Sequence, residues 1–146
     1  MFIVKKDQTT AIEVEPGLFG VKLIDGHEGT RDVALLRGWL NPGAAHSPHT
    51  HDTEEVVTFL SGSGTVRIND KDYPVQSGDS VWIPPKVVHS TVNTGAEVLS
   101  FVAAFSDNLV AARPVDQPKR HFALSRWINR GHWLFKRLTN RIKRQF

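Results

Sequence analysis

The chain contains no cysteine. That excludes a disulfide framework, a thiolate metal site and a cysteine nucleophile, and it restricts any bound metal to nitrogen and oxygen ligands. Long apolar runs are missing too. No segment reaches the roughly 18 residues a membrane-crossing helix needs. At the start, Lys5 and Lys6 follow directly on Phe2-Ile3-Val4, with neither a long apolar stretch nor a small-residue cleavage site. A signal peptide is therefore not expected, and the expected compartment is the cytoplasm. Acidic residues are nearly absent from one end. Residues 113–146 hold ten Lys/Arg against Asp116 alone, whereas residues 1–112 hold eight Lys/Arg against fourteen Asp/Glu. The formal charge of +3 thus hides a body of net −6 and a tail of net +9.

What is present reads as one ordinary globular domain. The 146 residues suffice to bury a core without staples, and an apolar fraction of 40% with 23% charged residues argues against disorder. Up to about Phe105, short runs rich in Val, Ile, Leu and Phe are broken every eight to twelve residues by Gly, Pro, Asn and Asp. This is the pattern of an all-β sandwich or barrel. Strands are expected at 20–24, 33–40, 56–60, 65–68, 72–75, 80–83, 89–92 and 98–105, with a hairpin turn at Asn69-Asp70-Lys71. The prolines at 114 and 118 interrupt regular structure. Beyond them apolar residues recur with a helical period among Arg126, Arg130, Lys136, Arg137, Arg141 and Arg144. Residues 1–112 are read as a barrel domain and 113–146 as a basic amphipathic helical extension.

The chemistry concentrates in Gly43-Ala-Ala-His-Ser-Pro-His49-Thr-His51-Asp-Thr-Glu-Glu55. Residues two apart on a strand share a face, so His49 and His51 can offer two imidazoles to one ion. A reversal at Asp52-Thr53-Glu54 would bring Glu55 to the same ion, and His89 would complete the set. His46 differs in parity from both histidines and is expected at a rim. Asp52 and Glu54 are expected to point elsewhere.

In these residues the chain resembles the cupin family. Its first motif, G-x5-H-x-H-x3-E-x6-G, is met at Gly43, His49, His51, Glu55 and Gly62. The second, G-x5-P-x-G-x2-H-x3-N, is met at Gly78, Pro84, His89 and Asn93, with Lys86 where glycine is usual. The resemblance implies a double-stranded β-helix, or jelly-roll, barrel. It further implies one divalent metal ion, Fe, Mn, Ni, Cu or Zn, on His49, His51, Glu55 and His89, and it implies dioxygenase, decarboxylase, isomerase or lyase chemistry with the first favoured.

Strand parity turns Val57 and Phe59, and Leu99, Phe101, Ala103 and Phe105, toward an apolar interior. Arg37, Trp39, Phe59, Arg67 and Phe101 are candidate pocket residues, an inward arginine being able to clamp a carboxylate bidentately. Trp82 is assigned to core or dimer packing. The expected partner is a small carboxylate- or enediol-containing molecule, within a homodimer. For the basic extension, packing on a barrel competes with peripheral contact to an anionic membrane, and nucleic acid is the least favoured partner. The rival to an enzyme is a regulatory module that captures a small ligand through the metal.

Overall fold

The computed structural model describes residues 3–115. These form eleven strands: β1 (Ala11–Glu15), β2 (Leu18–Ile24), β3 (Ala34–Leu40), β4 (Ala45–Thr50), β5 (Glu55–Ser61), β6 (Ser63–Ile68), β7 (Lys71–Gln76), β8 (Ser80–Ile83), β9 (His89–Val92), β10 (Leu99–Phe105) and β11 (Arg113–Pro114). A six-stranded sheet has the order β1-β2-β3-β10-β5-β8, and a five-stranded sheet the order β11-β4-β9-β6-β7. Every pairing is antiparallel. Two antiparallel sheets with these crossovers make a jelly roll, the expected all-β class. The amphipathic helix expected in the C-terminal extension lies outside the described residues. Arg113 and Pro114, the first two residues assigned to that extension, pair with Thr50 and His49 and so belong to the barrel's edge.

Period-two alternation explains why the sheets face each other. In β5, Glu55, Val57 and Phe59 are buried while Val56 and Leu60 are exposed; in β10, Leu99, Ala103 and Phe105 are buried. Leu18, Ala34 and Leu40 join them from the same sheet, and Val66 and Val75 meet them from the other. Each such Val, Leu or Phe side chain contributes about 1.5–3 kcal/mol by leaving water.

Turns are set by local chemistry. Between β5 and β6, Gly62 has φ +77°, and a Cβ there would lie 2.5 Å from the Val98 carbonyl oxygen, so glycine is required on both counts. Asn69 takes φ +53° in the two-residue turn from β6 to β7, as asparagine tolerates. Asn93 is buried and closes the loops beneath the site: its Nδ2 donates to the carbonyls of Leu40 and Glu97, each at 2.8 Å, and its Oδ1 accepts from Gly95 N at 3.0 Å.

Candidate metal centre

His49 lies near the end of β4, His51 just past it, and Glu55 and His89 open β5 and β9. The sheet register sets His49 opposite His89, and Glu55 opposite Phe105 and Ile83. All four side chains are buried, and one ligand atom from each falls within 4.8 Å of the others. The edge of Phe105 packs on the His51 ring, with centroids 5.0 Å apart.

Each of the three imidazoles is oriented from behind. His49 Nδ1 donates to the Ser47 carbonyl at 2.8 Å, His51 Nδ1 to Ala111 at 2.8 Å, and His89 Nδ1 to Val87 at 2.9 Å. A carbonyl oxygen only accepts, so Nδ1 carries the proton and Nε2 keeps its lone pair for the shared centre. Burial, reinforced by the neighbouring His46 and His89, pushes the His49 pKa down to about 2. Its imidazole is therefore neutral at physiological pH, the form that binds metals.

The donor set fits a divalent cation. Glu55 Oε2 lies 3.0 Å from His89 Nε2 and 3.5 Å from His51 Nε2. Both Glu55 Oε2 and His89 Nε2 are buried with no hydrogen-bond partner among the described residues. Lone pairs aimed at one another out of water are costly unless a positive charge lies between them. A second proton on His89 would relieve one such pair, yet the His51 nitrogen would still face the carboxylate. One cation satisfies all of them.

The cavity beside this cluster is lined by Leu40, Val57, Phe59, Val66, Val81, Ile83 and Phe101, with His46 and Thr91 as polar groups beyond the four-residue cluster. It leaves about 20 Å³ for the centre of a water-sized sphere, room for roughly one water. Among the candidate pocket residues, Phe59 and Phe101 do line it. Arg37 and Trp39 do not, because they alternate with the buried Ala34, Gly38 and Leu40 and so face outward. There Trp39 stacks on Phe19, with centroids 5.3 Å apart, and the Arg37 guanidinium lies 5.9 Å from the Trp39 ring. Arg67 alternates with the buried Val66 and pairs bidentately with Asp72 at 2.6 Å. Trp82 is also outward, opposite Val56, and not in the core.

His46 is nearer the centre than its parity suggests. The β4–β9 register slips between His46 and His49: three steps on β4 match two on β9, the signature of a bulge. The extra residue brings the His46 ring to 3.8 Å from His49, centroid to centroid, and its Nε2 to 3.6 Å from Glu15 Oε1. Burial lowers the pKa of His46, against the raising effect of Glu15. The available signal was Pro48, since proline inside a strand marks an edge or a bulge.

Lys86, at the usual glycine position, has φ +65°. The loop keeps its left-handed turn despite the lysine, and the Lys86 amide donates to the His51 carbonyl at 2.7 Å.

Fold and site together define a jelly-roll barrel with a buried three-histidine, one-glutamate cluster of the kind that holds a divalent ion. The chain belongs to the cupin family, whose cupin domain pattern matches residues 39–105. An uncharacterized protein of Methanocaldococcus jannaschii is 38% identical over 84 residues, covering 45% of this chain and 67% of that protein. The HTH-type transcriptional regulator PuuR of Escherichia coli is 31% identical over 94 residues, covering 62% of this chain but only 51% of the regulator. The chain thus spans about half the length of that regulator. Among solved structures, the polyketide cyclase RemF of Streptomyces resistomycificus superimposes with a TM-score of 0.68 at 25% identity, over 82% of this chain and 88% of that one. An RmlC-like cupin of Shewanella frigidimarina gives 0.63 at 21%, over 73% and 91%.

Proposed function

We propose that this cupin is a metal-dependent enzyme in which His49, His51, Glu55 and His89 hold one divalent ion, and a small organic substrate binds that ion against the apolar lining beside it. The observation that carries the reading is the unpartnered pair, Glu55 Oε2 and His89 Nε2, at the focus of three imidazoles all oriented by carbonyls. A four-ligand set leaves about two positions open on a six-coordinate ion, which separates a reactive centre from a closed structural one. When bound, such an ion supplies Lewis acidity toward a chelated oxygen, or dioxygen binding if it is redox-active.

The chain's own contribution is orientation and exclusion of water. The three Nδ1–carbonyl bonds fix the rings, and Val57, Phe59, Val81, Ile83 and Phe101 keep the site dry. His46 and Thr91 are the polar groups left to hydrogen-bond a ligand. Among the described residues the cavity lining includes no lysine or arginine, so recognition of a carboxylate or enediol falls to the ion rather than to a guanidinium clamp. An oxygenase acting on a small, largely apolar, oxygen-chelating molecule is the reading favoured here. Fe or Mn suits it better than Zn, because dioxygen chemistry needs a redox-active ion. Decarboxylation, isomerisation or lyase chemistry competes, and the likeness to a polyketide cyclase adds cyclisation to that group.

Elemental analysis of the purified protein beside a His49→Ala/His89→Ala variant tests the centre: about one transition metal per chain, lost in the variant, is the expected result. No metal after reconstitution overturns it. Turnover of carboxylate and enediol candidates with and without air then separates oxygenase from non-oxidative chemistry.

A second reading, ligand capture without turnover, is favoured by the 31% identity to a transcriptional regulator. Metal-dependent ligand binding with no product from any candidate would support it. A homodimer is supported by Val56, Leu60 and Trp82, which are 43%, 50% and 59% exposed on the outer face of the six-stranded sheet. Sedimentation velocity tests it, with Trp82→Lys expected to give monomer. The cationic residues of 117–146 support contact with an anionic membrane surface, which vesicle co-sedimentation would read. Among the described residues no helix is long and apolar enough to cross a membrane.

A further inference from the structure

The three histidines are not held alike. His49 and His89 each donate Nδ1–H to the carbonyl two residues earlier in their own strand region, so their orientation is fixed locally. His51 instead donates to Ala111, sixty residues away. Ala111 sits in the strap that follows β10, where residues 109–114 are all exposed and bury little of their own. What holds this strap is a short list of bonds, among them those of Asn108, whose carbonyl accepts from Gly26 N at 2.7 Å and whose Nδ2 donates to the Thr30 carbonyl at 3.3 Å. At its start Ser106 N donates to the Glu54 carbonyl at 3.1 Å; at its end β11 pairs with β4, and Val115 N donates to the Pro48 carbonyl at 3.0 Å. The side-chain fastening nearest Ala111 is an ion pair between Arg113, two residues on, and Asp52, the residue next to His51. Ion pair and imidazole–carbonyl bond therefore span the same two segments side by side.

We infer that the strap 106–115 is an outer clamp on the metal-binding histidine His51, and that Asp52 and Arg113 are positioning residues that hold the Ala111 carbonyl on His51 Nδ1. The inference rests on the proposed metal centre for its consequence, but not for its geometry. Outer partners of metal-bound histidines set tautomer and ring orientation, and their loss typically weakens metal affinity about 10- to 100-fold. An exposed ion pair adds little to global stability. The Asp52 and Arg113 side chains are 49% and 70% exposed, so reversing either charge should leave the barrel folded while loosening the clamp.

The test uses the full chain and Zn(II), titrated in competition with a chelator. Asp52→Arg and Arg113→Asp are each expected to weaken Zn(II) binding about tenfold. The double exchange, which restores the pair with its charges swapped, should return affinity to within about threefold of the original. Single variants that bind Zn(II) as the parent does, or a double exchange that stays as weak as the singles, would overturn the clamp. Asp52→Asn gives a milder variant if a reversal misfolds, with a smaller loss expected. A second readout needs no metal: ¹⁵N NMR of the metal-free protein should find His51 in the Nδ1–H tautomer, giving way to a mixture in Asp52→Arg. The same single tautomer in both proteins rejects the clamp. A parent protein that binds no metal rejects only the metal reading.

Discussion

His89 Nε2 and Glu55 Oε2 lie 3.0 Å apart in a buried site, and neither has a hydrogen-bond partner among the described residues. With His89 Nδ1 committed to the Val87 carbonyl, both facing atoms carry lone pairs. Without a proton or a cation between the two atoms the contact is unfavourable, and a cation turns it into a favourable one.

Glu55→Gln separates those two roles because its effects have opposite signs. The amide can donate to His89 Nε2 and removes a buried charge, so the metal-free variant is expected to be about 1–2 kcal/mol more stable than the parent in urea unfolding. With metal at a hundredfold excess over its Kd, the parent gains about 2.7 kcal/mol and the variant little. Curves that rise together on metal addition, or a metal-free variant less stable than the parent, would contradict the assignment.

Acid should weaken the metal-free barrel already between pH 7 and pH 5. His49 has a folded pKa of about 2, below the 6.5 expected when unfolded, so the unfolded chain binds the extra proton. The associated stability is complete above pH 6.5 and is lost as pH falls toward 2. Between pH 7 and pH 5 the loss is about 2 kcal/mol for His49 alone, with His46, also depressed, adding in the same direction. Urea midpoints across this range should fall, and His49→Gln should flatten the fall. An unchanged slope in that variant would assign the effect to other groups.

Much of this architecture is legible in the chain because alternation is a property of residue order. Val57 and Phe59, and Leu99, Ala103 and Phe105, face inward as their parity requires. The grouping of His49, His51, Glu55 and His89 follows from motif spacing, and the structure brings these four together. The failures have physical causes. Strand β4 (Ala-His-Ser-Pro-His-Thr) has no β-branched residue before Thr50 and a proline inside, so propensity argues against it, while pairing with β9 enforces it. The bulge in that strand reverses the parity of His46. Arg37 and Arg67 suggest a carboxylate clamp by chemistry, but the alternation that buries Gly38 and Val66 turns them outward. The Ala111 carbonyl on His51 leaves no trace in sequence, because any residue supplies a carbonyl.

Lys86 is a place where the family's glycine would serve the fold better. At φ +65° a lysine bears about 1–2 kcal/mol of left-handed strain, whereas glycine bears none but loses about 0.5–1 kcal/mol of unfolded-state entropy. Lys86→Gly is expected to stabilise the protein by about 0.5–1 kcal/mol without changing Zn(II) affinity, since the amide bond to the His51 carbonyl is a backbone contact. Destabilisation on thermal unfolding would mean that the lysine side chain contributes a contact that outweighs the strain.

The cavity wall offers a last, sharper test, in the pair formed by Gly38 and Phe101. The two are directly opposite in β3 and β10, and a Cβ added to Gly38 would lie 2.3 Å from Phe101 Cζ. The ring covers the glycine and meets Phe59 edge-on, with centroids 6.3 Å apart, and both phenylalanines line the cavity. Gly38→Ala therefore has to displace the ring, at about 1–3 kcal/mol for overpacking. Phe101→Leu alone loses packing on the glycine and on Phe59. Combined, the smaller leucine makes room for the new methyl, so the double variant should be at least about 1 kcal/mol more stable than the two single effects predict. Additive effects would mean that the ring can move aside freely, and a wall that moves freely would not fix the shape of what binds at the metal.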